Sequence, residues 1–144
     1  MKLKNDAECH SLDDDNFELL YSECQARKAY DIVKPEDGYC RYDAIIDKRI
    51  RVEVKRRPCT ADKYPDYFMR KDKIDALRGM EGDCFGVFFF TDCWFVFDLR
   101  QEFPTRKSFV YNPVKGSRYE INYVIKPSQG RFYTYRTTPL PWEL

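Results

Sequence analysis

The first apolar pattern along the chain is helical. Phe17, Leu20, Tyr21 and Cys24 recur on one face, and the acidic run Asp13, Asp14, Asp15 before them suits the positive end of a helix dipole. This predicts a helix over about residues 14–28. Three strand-like runs follow, at 30–34, 39–46 and 49–57, with a turn over 35–38 marked by Pro35 and Gly38. Residues 58–71 carry Pro58 and Pro65 and read as irregular. A short helix is expected over about 72–80, with Asp72 as its N-cap and Gly82 just beyond its end. The run CFGVFFF at 84–90 has the continuous apolar character of a strand buried on both faces, and 94–99 is expected to pair with it. Segments 108–111, 119–126 and 131–136 complete the pattern. In the second of these the alternation Tyr119, Ile121, Tyr123, Ile125 predicts a half-buried strand.

The order helix, three strands, helix, further strands predicts an α/β fold. Its 144 residues, 43% of them apolar, suffice for one core, and no repeat or Gly/Ser linker divides them. A single domain over 1–144 is therefore expected, with a core at about 14–99 and a β extension over 100–144. The longest apolar run is far too short to span a bilayer, and no apolar stretch follows the basic N-terminus, so a cytoplasmic setting without a membrane is expected. Cys9, Cys24, Cys40, Cys59, Cys84 and Cys93 are scattered without CxxC spacing and read as reduced thiols. The one histidine, His10, has no second ligand at a zinc-like spacing and leaves no imidazole for a catalytic triad.

A net charge of +1 conceals a division of charge. Residues 1–38 hold five Lys or Arg against ten Asp or Glu, whereas residues 48–78 hold eleven against five. The second region is compatible with a phosphate-binding face, although such runs also serve as plain solvated surface.

Candidate chemistry lies in YDAIIDKRIRVEVKRR, residues 42–57. In a strand from Arg49, period-2 geometry sends Ile50, Val52 and Val54 to a core face and Arg51, Glu53, Lys55 and Arg57 to the other. Asp43 lies ten residues before Glu53. A three-residue loop at Asp47, Lys48 and Arg49 would set Asp43 directly across from Glu53 on the same face, and a two-residue turn at Asp47 and Lys48 would set them on opposite faces. Both remain open, because the three-residue loop would favour a glycine that is absent. If the carboxylates converge, they repel unless a cation lies between them, and hard oxygen donors suit Mg²⁺ or Mn²⁺. The plainer alternative is a pair of half-exposed strand carboxylates matched to Lys and Arg neighbours.

Asp43, followed by Glu53-Val54-Lys55 on two adjacent expected strands between two helices, resembles the PD-(D/E)XK nuclease superfamily, with Tyr42 in place of the usual proline. The resemblance covers about residues 14–99. It implies a restriction-endonuclease-like mixed β-sheet flanked by helices, here with extra C-terminal strands. It further implies metal-dependent hydrolysis of DNA phosphodiester bonds, with Asp43 and Glu53 as ligands of Mg²⁺ or Mn²⁺ and Lys55 as the third catalytic residue. The QxxxY motif of the RecB-like group is not evident, and the small size favours a structure-specific or resolvase-like endonuclease acting on branched or duplex DNA. Many relatives bring a first-helix glutamate to the metal. Glu18 and Glu23 are candidates, and Glu18 is favoured because it lies nearer the helix start.

Arg56, Arg57, Lys63, Arg70, Lys71 and Lys73 follow the motif and are candidates for holding nucleic-acid phosphates. The last 44 residues carry seven Lys or Arg against three Asp or Glu with aromatics between them, in the manner of a base-stacking surface or of an ordinary core. The reading admits a homodimer. Its rivals are a non-catalytic nucleic-acid-binding or scaffold protein that keeps the fold, and a nuclease acting on RNA.

Overall fold

The computed structural model describes residues 6–28, 30–35 and 42–136, with side chains from residue 15 onward. Within them the fold is mixed α/β and mostly strand. There are two helices, a six-stranded mixed sheet and a three-stranded antiparallel sheet. The expected turn at 35–38, the start of the second expected strand, and the side chains of Cys9, His10 and Cys40 lie outside the described residues.

Helix α1 (Asp6–Gln25) begins well before the expected start and lays Leu19, Leu20 and Cys24 against one face of the large sheet. Strands β1 (Ile32–Val33), β2 (Ala44–Ile46) and β3 (Ile50–Arg56) form an antiparallel meander. The chain then leaves this sheet through β4 (Tyr67–Arg70) and α2 (Lys71–Arg78), and returns as β5 (Asp83–Phe89), parallel to β3. Strand β6 (Trp94–Asp98) pairs antiparallel with β5. Strands β7 (Thr105–Val110) and β8 (Arg118–Ile125) make a hairpin, and β9 (Gly130–Tyr133) follows a 3-10 turn to edge the large sheet beside β6. The large sheet runs β1-β2-β3-β5-β6-β9 and the small one β4-β8-β7.

Strict alternation divides β3 between two cores. Val52 and Val54 join Leu19, Leu20, Ala44, Val87, Phe89 and Trp94 under α1. On the other face Phe88, Phe95 and Phe97 of the large sheet pack with Ile74 and Leu77 of α2 and with Tyr67, Met69, Tyr123 and Ile125 of the small sheet. Gly86 allows this second core to close, since a Cβ there would stand 2.3 Å from the Phe97 ring.

Two elements differ from the sequence expectation. Residues 67–70 form a strand rather than part of an irregular segment, because β8 pairs with them from more than 50 residues away, Tyr67 against Ile125 and Met69 against Tyr123. Helix α2 follows this strand without a turn, so its N-cap position is Arg70, whose side chain makes no cap bond. Asp72 is therefore not the N-cap. It lies in the first helical turn, where the dipole favours an acid, and pairs with Arg70 at 2.7 Å. At the other end of α2 the Arg100 guanidinium donates to the carbonyls of Arg78, Met80 and Gly82, closing off carbonyls that a helix end leaves open. Arg78 donates to the Leu99 carbonyl at 2.6 Å, which ties the helix to the end of β6.

Candidate functional site

The candidate site depends on one hairpin register. Ala44 pairs with Val52, Ile45 with Arg51 and Ile46 with Ile50, leaving Asp47, Lys48 and Arg49 as a three-residue loop. The loop lacks glycine and instead holds Asp47 and Lys48 at φ of 51° and 62°. A left-handed backbone is costly for most residues, but aspartate tolerates it through local hydrogen bonds. Here the Asp47 amide donates to the Asp31 carbonyl at 2.7 Å and the Asp47 carboxylate accepts from the Asp31 amide at 3.0 Å, fastening the loop to the start of β1.

At the end of this ladder the regular register breaks, and Asp43 lies in a bend one residue before the Ala44–Val52 pair. Ala44 and Val52 face α1, and Glu53, alternate to Val52, faces the α2 side, where Lys73 reaches it. The Asp43 amide donates to the Val52 carbonyl at 2.8 Å, and its Oδ2 accepts the Val54 amide at 2.7 Å. The carboxylate thus takes the place of a backbone carbonyl where β2 parts from β3, which fixes its position. Glu53 is buried, at 3% exposure. Its Oε1 lies 3.3 Å from the Lys55 ammonium and 4.0 Å from that of Lys73, which reaches across from α2. A buried carboxylate needs such partners, because its desolvation costs several kcal/mol when it stands alone, in rough terms.

The other sequence candidates are dispersed. Glu18 is exposed on α1, the helix that covers the opposite sheet face, and among the described residues no hydrogen bond or ion pair joins it to Asp43 or Glu53. Arg57 is half-buried with its guanidinium 5.5 Å from the Phe88 ring centre, and burial lowers its pKa. Arg56 is half-buried at the end of β3, and Lys63 is exposed with its ammonium 5.6 Å from the Tyr64 ring. Arg70 and Lys71 are engaged by Asp72 and Asp75, the latter pair at 2.5 Å. Of the six cations proposed to hold phosphates, Lys73 is the one that, among the described residues, pairs with Glu53. Its helical position opposite Glu53 could not be read from local sequence, since it depends on how α2 packs over the sheet.

Glu23 has a different role from the one considered for it. It is fully buried, accepts from Arg27 at 2.9 Å and from the Arg136 amide at 3.0 and 3.2 Å, and so binds the end of α1 to the segment after β9. Arg27 lies 4.9 Å from the Trp94 ring centre and also donates to the Thr134 carbonyl. Cys24, Cys59, Cys84 and Cys93 are free thiols, with Cys24 pushed up to about 11 by burial. No helix among the described residues is long and apolar enough to cross a membrane.

Among the described residues no group of three or more His, Cys, Asp or Glu gathers as a metal cage. The candidate donors are Asp43, held by the Val54 amide, and Glu53. Two carboxylates still fit Mg²⁺, which retains several waters and is commonly held by one or two protein carboxylates. The chain matches no protein-family model, no curated protein and no solved structure.

Proposed function

We propose that this protein is a metal-dependent nuclease of the restriction-endonuclease-like type, hydrolysing DNA phosphodiester bonds at Asp43, Glu53 and Lys55. The observation that carries the reading is the bond from the Val54 amide to the Asp43 carboxylate, which holds Asp43 against β3 beside Glu53 and Lys55. The surrounding order supports it: a helix, a three-strand meander, then a helix leading to a strand parallel to β3. Bound Mg²⁺ or Mn²⁺ would polarise the phosphate and lower the pKa of its water. Asp43 and Glu53 would hold the ion, Asp43 steadied by the Val54 amide and Glu53 by its burial. The Lys55 ammonium would orient the attacking water or offset charge gathering on the phosphate oxygens. Lys73 would stand ready as a second cation on the same side.

The test incubates the protein with branched, linear duplex and single-stranded DNA, with and without Mg²⁺. Cleavage that requires Mg²⁺ or Mn²⁺ and disappears in Asp43→Asn, Glu53→Gln and Lys55→Ala, each still folded, is the expected outcome. Activity undiminished in all three variants overturns the assignment. A second reading, a nucleic-acid-binding scaffold on the same fold, is favoured by the contacts of Glu53 with two lysines, which balance its charge without a metal. Salt-sensitive DNA binding without cleavage under any divalent ion would decide for it. RNA offered alongside DNA separates the two nucleic acids.

A further inference from the structure

The small sheet changes character along its length. On the face shared by Tyr67, Met69, Tyr123 and Ile125 the base of the sheet is buried in the second core. The same face continues along the β7–β8 hairpin through Lys107, Phe109, Tyr119 and Ile121, by the pairs Phe109 with Tyr119 and Lys107 with Ile121. There it is open, with Phe109 59%, Tyr119 63% and Ile121 51% exposed. The two rings lie 5.4 Å apart, and the Lys107 ammonium is 4.4 Å from the Tyr119 ring centre. Residues 105–125 contain Arg106, Lys107, Lys115 and Arg118 against Glu120 alone; Lys107 shares the face of Phe109 and Tyr119, whereas Arg106 and Arg118 alternate to the other face.

We infer that this open half of the hairpin holds unpaired nucleobases of a nucleic acid, with Phe109 and Tyr119 as stacking platforms and Lys107 as a phosphate contact. Aromatic rings interleaved with cations bind single strands irrespective of sequence, because every base has a π-face and every nucleotide a phosphate. The cation excess favours a polyanion as the occupant, whereas a second copy of the chain would set one cationic hairpin against another. The location agrees with the same partner. A cavity of about 330 Å³ lies between the start of α2 and β8, lined by Tyr119 and Ile121 and by three cations, Arg70, Lys71 and Arg118, each paired with a carboxylate. Lys73, one half-turn further along that helix, is the residue that meets Glu53. The hairpin and Glu53 thus both neighbour the first turns of α2, at Lys71 and Lys73. That this nucleic acid is also the substrate rests on the nuclease reading, and it narrows the substrate to DNA or RNA with an unpaired segment, such as a flap, branch or tail.

The binding test uses protein carrying Glu53→Gln, in metal-free buffer, so that the nucleic acid stays intact. Fluorescence anisotropy follows a labelled oligothymidylate and a blunt DNA duplex of equal length. Adding Phe109→Ala with Tyr119→Ala is expected to weaken the single strand about 10- to 100-fold and the duplex less than threefold, with Tyr119→Phe close to the parent. Because both rings are exposed, the variant should keep its melting temperature, which circular dichroism checks. An unchanged affinity for oligothymidylate, or equal losses on both probes, overturns the inference. So does a parent dimer that the double variant makes monomeric in sedimentation without loss of single-strand binding. The two readings fail separately. Absence of cleavage with the hairpin effect intact sinks only the nuclease, whereas cleavage of tailed and blunt DNA equally indifferent to the hairpin variant sinks only the docking site.

Discussion

The two glutamates buried among the described residues are held in opposite ways. Glu23 is closed in by short bonds from the Arg27 guanidinium and the Arg136 amide. Glu53, almost as deeply buried, faces ammonium groups at 3.3 and 4.0 Å on flexible side chains that are themselves partly exposed. One carboxylate is saturated by rigid partners on two distant parts of the chain, and it acts as a clamp. The other is buried among partners that can move, across a hairpin from a second carboxylate. On the nuclease reading proposed above, burial alone does not distinguish the structural acid from the chemical one. The rigidity of the partners does.

The largest effect that could break this contrast is on activity. Glu53→Gln is expected to lower Mg²⁺-dependent cleavage about 1000-fold, the scale of losing one main electrostatic element of an active site. Its melting temperature should stay level or rise, since an isosteric neutral group relieves a buried charge held by long contacts. Rates and thermal melts measured on the same preparation check both halves. A large fall in stability with activity retained would reverse the roles assigned to the two glutamates.

Next in size is the converse. Glu23→Ala leaves the Arg27 guanidinium and the Arg136 amide without their acceptor and is expected to cost about 3 kcal/mol of stability, within the range for removing one member of a buried pair. Cleavage per folded molecule should not change. Urea unfolding with an activity assay on the folded fraction measures it, and a loss under about 1 kcal/mol would show that the clamp is ornamental. Glu18→Gln serves as the control from the same helix. As an exposed residue it should change neither quantity, and a tenfold fall in cleavage would restore the first-helix glutamate to the site.

This contrast was only partly visible in the sequence. Period-2 alternation separated the two faces of β3 correctly, and the apolar runs placed the strands of the large sheet to within a few residues. Local pattern could not choose the hairpin loop, because the register is held by Asp47 reaching β1, a contact between residues 16 apart. Nor could it separate Glu18 from Glu23. Both lie on one amphipathic helix, and what distinguishes Glu23 is a main-chain amide 113 residues away. The strand Tyr67–Arg70 was hidden for a related reason, since its only sheet partner is β8. Period marks the faces, but long-range partners decide which polar side chain on a face is used.

A smaller effect is expected at Lys73. Its ammonium is partly exposed at 4.0 Å from Glu53, so the pair itself contributes little to stability. Lys73→Ala should leave the fold intact and reduce cleavage about two- to tenfold. The loss should shrink as salt rises, because a solvent-facing cation acts on the phosphate through screened attraction. Rates across a salt series test this, and a loss independent of salt would assign Lys73 a short-range role like that expected of Lys55.

The smallest effect concerns Asp75, a half-buried carboxylate on α2. Its carboxylate bonds the Lys71 ammonium at 2.5 Å and the Tyr123 hydroxyl at 2.7 Å, with Arg78 at 3.9 Å. The hydrogen bond from Lys71 first, then that from Tyr123, lowers its pKa below the ordinary value of 3.8. A depressed folded-state pKa means that the unfolded chain binds the proton more readily. The stabilisation is therefore complete above the unfolded pKa near 4 and is lost as pH falls through the lower folded value. Because the group is 39% exposed, solvent screening keeps the contribution small, about 1–2 °C in melting temperature. Thermal melts from neutral pH to below 3.8 should show this increment in the wild type and not in Asp75→Asn. If both proteins lose stability in parallel over that interval, Asp75 is not a source of the acid sensitivity.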